Sequence, residues 1–113
     1  MAMLEKLLKP DTVAVIGASR SPDKVGHEIL ANLINAGFQG TLVPVNPTAD
    51  KILDLRCFPS LKAYGGQVDL SVIAVPRAAV RQAVSESLDA GAGAICVITA
   101  GFKEVSEEGA KLD

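Results

Sequence analysis

The sequence is poor in the residues that carry most covalent chemistry. It has one histidine, His27, and two cysteines, Cys57 and Cys96, in 113 residues. That supply offers no metal cluster, no Ser/His/Asp set and no paired-carboxylate set. The cysteines stand 39 positions apart, with no CxxC and no histidine beside either. They read as reduced packing residues of a cytoplasmic protein. Tryptophan is absent and aromatics make up 4% of the chain, against 49% hydrophobic residues. The core is therefore Val, Ile, Leu and Ala, as in parallel strands covered by helices. No apolar run is long enough for a membrane span, and none has signal-peptide flanks. A net charge of −2 leaves no broad basic face for nucleic acid. Any anion must be held by local geometry rather than by bulk charge.

What is present concentrates in residues 13–26, Val-Ala-Val-Ile-Gly-Ala-Ser-Arg-Ser-Pro-Asp-Lys-Val-Gly. An apolar β-branched run ends at Gly17, a polar loop follows, and Val25-Gly26 opens a helical pattern. Strand, short loop, helix is the arrangement that aims backbone N–H groups and the positive end of a helix at an anion. Two common glycine patterns are missing from it. GxGxxG requires glycine where Ser19 stands, and GxxxxGK[ST] requires glycine where Pro22 stands. This argues against an ordinary NAD site and against a P-loop.

The rest of the chain alternates in the same way. Met3–Lys9 carries a short leucine stripe that Pro10 ends. A first strand spans Thr12–Gly17. A helix from about Lys24 to Ala36 buries Val25, Ile29, Leu30, Leu33 and Ile34. Gly37 is its left-handed cap, with Phe38 folding back onto Leu33. A second strand spans Thr41–Asn46, and a weak edge strand lies near Leu55–Phe58. A fourth strand spans Asp69–Val75. The next helix carries Val80, Ala83, Val84 and Leu88 and stops at Gly91. A fifth strand spans Ala94–Ile98, and a further helix starts near Ser106. This spacing predicts one α/β domain over residues 1–113, a Rossmann-like, mostly parallel sheet of about five strands in the order 3-2-1-4-5 with helices on both faces. The helix begun at Glu107 has no room to finish, so the chain is expected to be the N-terminal piece of a longer multidomain protein.

In such a sheet ligands bind at the carboxyl ends of the strands, where the strand order reverses. Four loops converge there: Gly17-Ala18-Ser19-Arg20, Asn46-Pro47-Thr48, Val75-Pro76-Arg77 and Thr99-Ala100-Gly101. Gly17 allows the tight exit from strand one. A side chain there is expected to fill the anion site and leave the fold intact. Gly26 serves either close approach of a phosphate or helix–sheet packing. Ser19 is a hydroxyl donor or a turn residue. Arg20 and Lys24 lie within reach of an anion or in plain solvent. An NAD site usually places Asp or Glu at the end of strand two. Asn46-Pro47 stands there instead, which is compatible with a phosphorylated ribose, and Lys51 could pair with that phosphate. His27 is expected on the exposed side of the first helix.

Taken together, Val15-Ile16-Gly17-Ala18-Ser19, Val25-Gly26, Val43-Pro44-Val45-Asn46-Pro47, Asp69–Pro76 and Val97–Phe102 resemble the N-terminal CoA-binding domain of the ADP-forming (NDP-forming) acyl-CoA synthetases. These are relatives of the succinyl-CoA synthetase α subunit. The resemblance implies that Gly17, Ala18, Ser19, Val25 and Gly26 hold the CoA phosphates and that Asn46, Pro47 and Lys51 lie by the adenosine. It further implies that Val75 and Pro76 line the wall and that Ile98, Thr99 and Gly101 flank the pantetheine. Ala100 stands where the succinyl branch has Glu, as in the acetyl-type branch. The implied reaction converts acyl-CoA, ADP and phosphate to acid, CoA and ATP. The phosphohistidine and the ATP-grasp domain or β-type subunit that bind ATP/ADP and Mg would lie outside this chain, which alone is expected to be inactive. Alternatives are a CoA-responsive regulatory domain of a synthetase-like lysine acetyltransferase, a stand-alone CoA-binding protein, and a dinucleotide-binding module.

Overall fold

The computed structural model describes residues 10–98. The leucine stripe before Pro10, the residues Thr99 and Gly101, and the helix start near Ser106 lie outside the described residues.

The first strand, β1 (Thr12–Ile16), is central. Its residues Val13 to Ile16 are each exposed by 7% or less, so the strand is covered on both faces. It pairs in parallel with β2 (Thr41–Val45) on one side and with β5 (Leu70–Ile73) on the other. Beyond β5 lies β6 (Ala94–Val97), also parallel. The sheet order is thus β2-β1-β5-β6. Strand β1 is the point at which the chain switches sides, as the expected order requires.

Helix α1 (Val25–Asn35) covers one face. Leu30 packs there with Val15, Ala18, Ala49, Ile52 and Cys57. Gly37 ends α1 at φ +81°. Its N–H reaches the Ile34 carbonyl and the Phe38 N–H reaches Leu33, the paired bonds of a Schellman cap. The expected burial of Ile34 does not occur, since it is 39% exposed beside the cap. The opposite face is covered by a one-turn helix, α2 (Leu61–Tyr64), and by α3 (Arg77–Asp89). Leu61 and Ala83 pack there with Ala14, Ile16, Val43, Val45 and Ile73. Leu88, expected in the buried stripe of α3, is 60% exposed. The buried position is Ser87, whose hydroxyl donates to the Ala83 carbonyl (2.8 Å). The Ser71 hydroxyl of β5 therefore donates to Ser87 Oγ, at 2.6 Å.

The expected third strand is reduced to a single bridge. Residues 51–56 fold back on themselves as an antiparallel hairpin, β3 (Lys51–Ile52) against β4 (Leu55–Arg56). Its turn residues Leu53 and Asp54 have φ of 51° and 66°, the sign that a type I′ hairpin turn requires at both positions. Neither is glycine, so composition did not announce the turn. From this segment Phe58 makes the ladder bridge to β2, in parallel beside Val45. The Phe58 N–H donates to the Pro44 carbonyl, and the Asn46 N–H donates to the Phe58 carbonyl, both at 2.9 Å. Pro44 has no N–H to offer that edge, which shortens the ladder further.

Asp69 ties the opposite end of the sheet. Its carboxylate accepts from the N–H groups of Asp11 (2.9 Å) and Thr12 (3.1 Å). Its N–H reaches Thr12, and its carbonyl receives Gly93 and Ala94. Three strand starts are joined through one residue that is 7% exposed.

At the carboxyl ends, backbone packs on backbone. A Cβ on Gly26 would stand 2.0 Å from the Gly17 oxygen, and one on Gly17 would stand 2.1 Å from the Ala74 oxygen. Gly26→Ala is therefore expected to lower stability by about 2 kcal/mol or more, because the atoms it meets are backbone of Gly17 and Ala18 and cannot swing aside. Urea denaturation at fixed pH checks this; an unchanged midpoint would contradict it.

Candidate functional site

The crevice at the end of β1 is built from three strand ends and the start of α1. Gly17 leaves β1 at φ +95°. The N–H groups of Gly17 and Ala18 both donate to the Val45 carbonyl, at 3.1 and 3.2 Å. The first two amides of the loop are thereby used for holding β1 to β2. Ala18 is 1% exposed. Its carbonyl accepts from Asn46 Nδ2 at 2.8 Å. The Asn46 Oδ1 meanwhile accepts from Thr48 N, Thr48 Oγ1 and Ala49 N, at 2.8 to 3.1 Å. Asn46 is thus a cross-brace between the ends of β1 and β2, and it shapes its own turn.

Ser19 is half-buried, and its Oγ accepts from the Ser21 N–H (3.1 Å). Its carbonyl lies 2.8 Å from His27 Nδ1. A carbonyl can only accept, so Nδ1 carries the proton. The expected exposed His27 is therefore corrected: the ring is half-buried and bonded to the loop. Its position in the first turn of α1 points it back over the preceding chain, where a helical wheel alone would leave it in solvent. Lys24 is the N-cap of α1 and makes no side-chain cap. The first-turn N–H groups of Val25 and Gly26 have no intrahelical partner. Among the described residues, no hydrogen bond takes the N–H of Ser19 or Arg20.

The structure decides between the two readings of Gly26 and changes the expectation for Gly17. Gly26 is buried against Gly17 and Ala18, so helix–strand packing is what excludes a side chain there. Gly17 also meets Ala74, and Val75 Cγ1 would lie 3.0 Å from a Cβ on it. Gly17→Val would thus strike the backbone of Ala74, just past the end of β5, from a left-handed conformation. The expected intact fold of that variant does not hold.

Of the other expected residues, Arg20, Lys24, Pro47, Lys51 and Pro76 are exposed, and Val75 and Ile98 are half-buried. The Ile98 N–H donates to the Ile73 carbonyl (2.7 Å), which sets β6 beside the crevice wall. Lys51 stands opposite Arg56 in the hairpin. That like-charge pair was missed in the sequence, because the hairpin was. The Arg56 guanidinium lies 4.9 Å from the Phe58 ring centroid. Cys57 is buried, as expected of a packing residue, whereas Cys96 is exposed on β6. Burial pushes the Cys57 thiol up, Asp50 adds to this, and Arg20 opposes it. Among the described residues no group of His, Cys, Asp and Glu could hold a metal ion, and no helix is long and apolar enough to cross a membrane. A groove of about 590 Å³ between α2 and α3, bordered by Leu61, Gln82 and Glu86, includes none of the expected site residues.

Fold and loop together define a Rossmann-like module with an uncapped helix N-terminus at its switch point. Comparison with known proteins narrows the class. A family model described as a CoA binding domain matches residues 11–112, and the chain belongs to that family. It is 43% identical over 110 residues to acetate–CoA ligase [ADP-forming] II of Archaeoglobus fulgidus, covering 97% of this chain and 16% of that protein. It is 40% identical to acetate–CoA ligase [ADP-forming] II subunit alpha of Pyrococcus furiosus, covering 95% of this chain and 23% of that one. Among solved structures, the apo form of the dinucleotide forming acetyl-coenzyme A synthetase 1 of Ca. Korarchaeum cryptofilum superposes with a TM-score of 0.83 at 44% identity. That match covers 93% of this chain and 23% of the other. The chain thus spans less than a quarter of the length of these relatives.

Three measurements check the site's construction. Asn46→Asp replaces the donor to the Ala18 carbonyl with a carboxylate oxygen, and should lower stability by about 1–3 kcal/mol in urea denaturation. Cys96 should label with maleimide in the native protein, and Cys57 only after unfolding. Because the native Cys57 pKa is raised, its contribution is full below the ordinary thiol value and is lost as pH rises above it. The urea midpoint of the wild type should therefore fall on the alkaline side more than that of Cys57→Ala.

Proposed function

We propose that this chain binds CoA at the crevice where β1, β2 and β5 end, as the CoA-binding part of an ADP-forming acyl-CoA synthetase of the acetate type. The observation that carries this reading is the coincidence of two facts. The family match spans the crevice, and the crevice offers an uncapped helix start where a diphosphate would sit.

In this reading the N–H groups of Ser19, Arg20, Val25 and Gly26 face the diphosphate, and Arg20 and Lys24 add positive charge beside it. Asn46 and Pro47 border the adenosine. Lys51, with Arg56 opposite it, would pair with the 3′-phosphate and relieve the repulsion between the two cations. Val75 and Pro76 wall the path of the pantetheine toward Ile98, Thr99 and Gly101. The chain supplies no described residue fit for acyl or phosphoryl transfer, so its part is to bind and orient CoA. Acyl-CoA, ADP and phosphate would be converted to acid, CoA and ATP by a larger protein. Its phosphohistidine and its ATP-grasp domain or β-type subunit, with ATP/ADP and Mg, lie outside these residues.

A calorimetric titration with CoA, run beside NAD, tests this. Heat with CoA and none with NAD is expected; heat with NAD alone would overturn the reading in favour of a redox module. 3′-Dephospho-CoA should bind more weakly than CoA by about tenfold, the scale of one charge-assisted contact. Equal affinities would remove Lys51 from the site.

A further inference from the structure

We propose that His27 is a positioning residue for CoA. It acts with Asn46 to pin two consecutive carbonyls, so that two consecutive N–H groups of the β1–α1 loop stay turned toward the diphosphate. The inference rests on the CoA reading above and adds a residue to it.

In a planar trans peptide, the carbonyl of one residue and the N–H of the next point in opposite directions. No peptide bond among the described residues is cis. The Ala18 carbonyl is held by Asn46 Nδ2 and the Ser19 carbonyl by His27 Nδ1, each at 2.8 Å. Each pin therefore directs an N–H away from itself: that of Ser19 in the first case, that of Arg20 in the second. Both are among the loop amides left without a protein acceptor once Gly17 and Ala18 have bonded to Val45.

The two pins come from different elements, and both are braced. Asn46 closes β2 and is locked through its Oδ1 by Thr48 and Ala49. His27 sits in the first turn of α1, where its own N–H is bonded to Lys24. The Ser19 hydroxyl oxygen is already used on Ser21, so the loop does not brace these peptides by itself. The arrangement also has a negative purpose. A free Ser19 carbonyl could rotate its oxygen toward the anion, and the imidazole keeps that oxygen on the helix side. The ring acts through its Nδ1–H alone and touches no reacting atom.

The test compares the wild type, His27→Leu and His27→Asn. Asn places an amide nitrogen near the position of Nδ1, whereas Leu removes the donor at similar size. His27→Leu should weaken CoA binding about three- to tenfold, the worth of one hydrogen bond, and His27→Asn should restore it to within about twofold. The carbonyl-carbon resonance of Ser19, which reports hydrogen bonding at that oxygen without any ligand, should move in His27→Leu and return in His27→Asn. Unchanged CoA affinity in His27→Leu overturns the positioning role. So does a loss in His27→Asn as large as in His27→Leu, if the Ser19 resonance has returned. If the wild type gives no heat with CoA while the Ser19 resonance behaves as stated, the CoA reading has failed and the positioning role falls with it, although the hydrogen bond stands.

Discussion

Three stretches of backbone meet at Gly17 with no room for a side chain between them. The Ala74 carbonyl presses on one side of its α-carbon, and α1 presses its own Gly26 onto the Gly17 carbonyl. The proposed CoA site depends on this contact. It brings the start of α1 down onto the end of β1, and it holds β5 close enough for the three ends to form one crevice. Two hydrogens in place of two methyl groups make that approach possible. The cost falls on backbone freedom in the unfolded chain, and burial on both faces of β1 offsets it.

The sheet is fastened differently at its two ends. At the amino ends, the Asp69 carboxylate and backbone gather β1, β5 and β6, and the carbonyl of Asp11 receives Thr41 of β2. At the carboxyl ends, the brace is a carboxamide, Asn46, together with an imidazole, His27. The difference is chemical. An acceptor suits the end where strand N–H groups are orphaned, and donors suit the end where loop carbonyls are left to be held. Donor braces leave N–H groups facing outward, which is what a phosphate site needs.

The periodic parts of the fold were legible in the sequence. The β-branched runs, the proline stops and the helical spacing gave the parallel order around β1, and Gly37-Phe38 gave the cap that is observed. What escaped reading was set by contacts distant along the chain. The hairpin at 51–56 uses Leu53 and Asp54 in left-handed conformations that glycine normally marks. Ser87 is buried and Leu88 exposed because Ser71 offers Ser87 a partner across the core. Gly26 could be placed at the start of α1 from sequence, but only the distance to Gly17 shows that it packs against that residue. His27 looked like surface because a helical wheel takes no account of the loop folded over the first turn. The strand-end loops were legible in the sequence; the braces that hold them were not, because each is a side chain reaching a backbone atom on another element.

The central claim is that an anion of CoA sits on the N–H groups of the β1–α1 loop and the start of α1. Amide resonances of the isotopically labelled chain, followed during a CoA titration, test it most directly. The account predicts that Ser19, Arg20, Val25 and Gly26 move most, with Lys51 and Arg56 following and the residues of the α2–α3 groove unmoved. Largest shifts at Gln82, Ser85 and Glu86, with the loop amides unmoved, would contradict it.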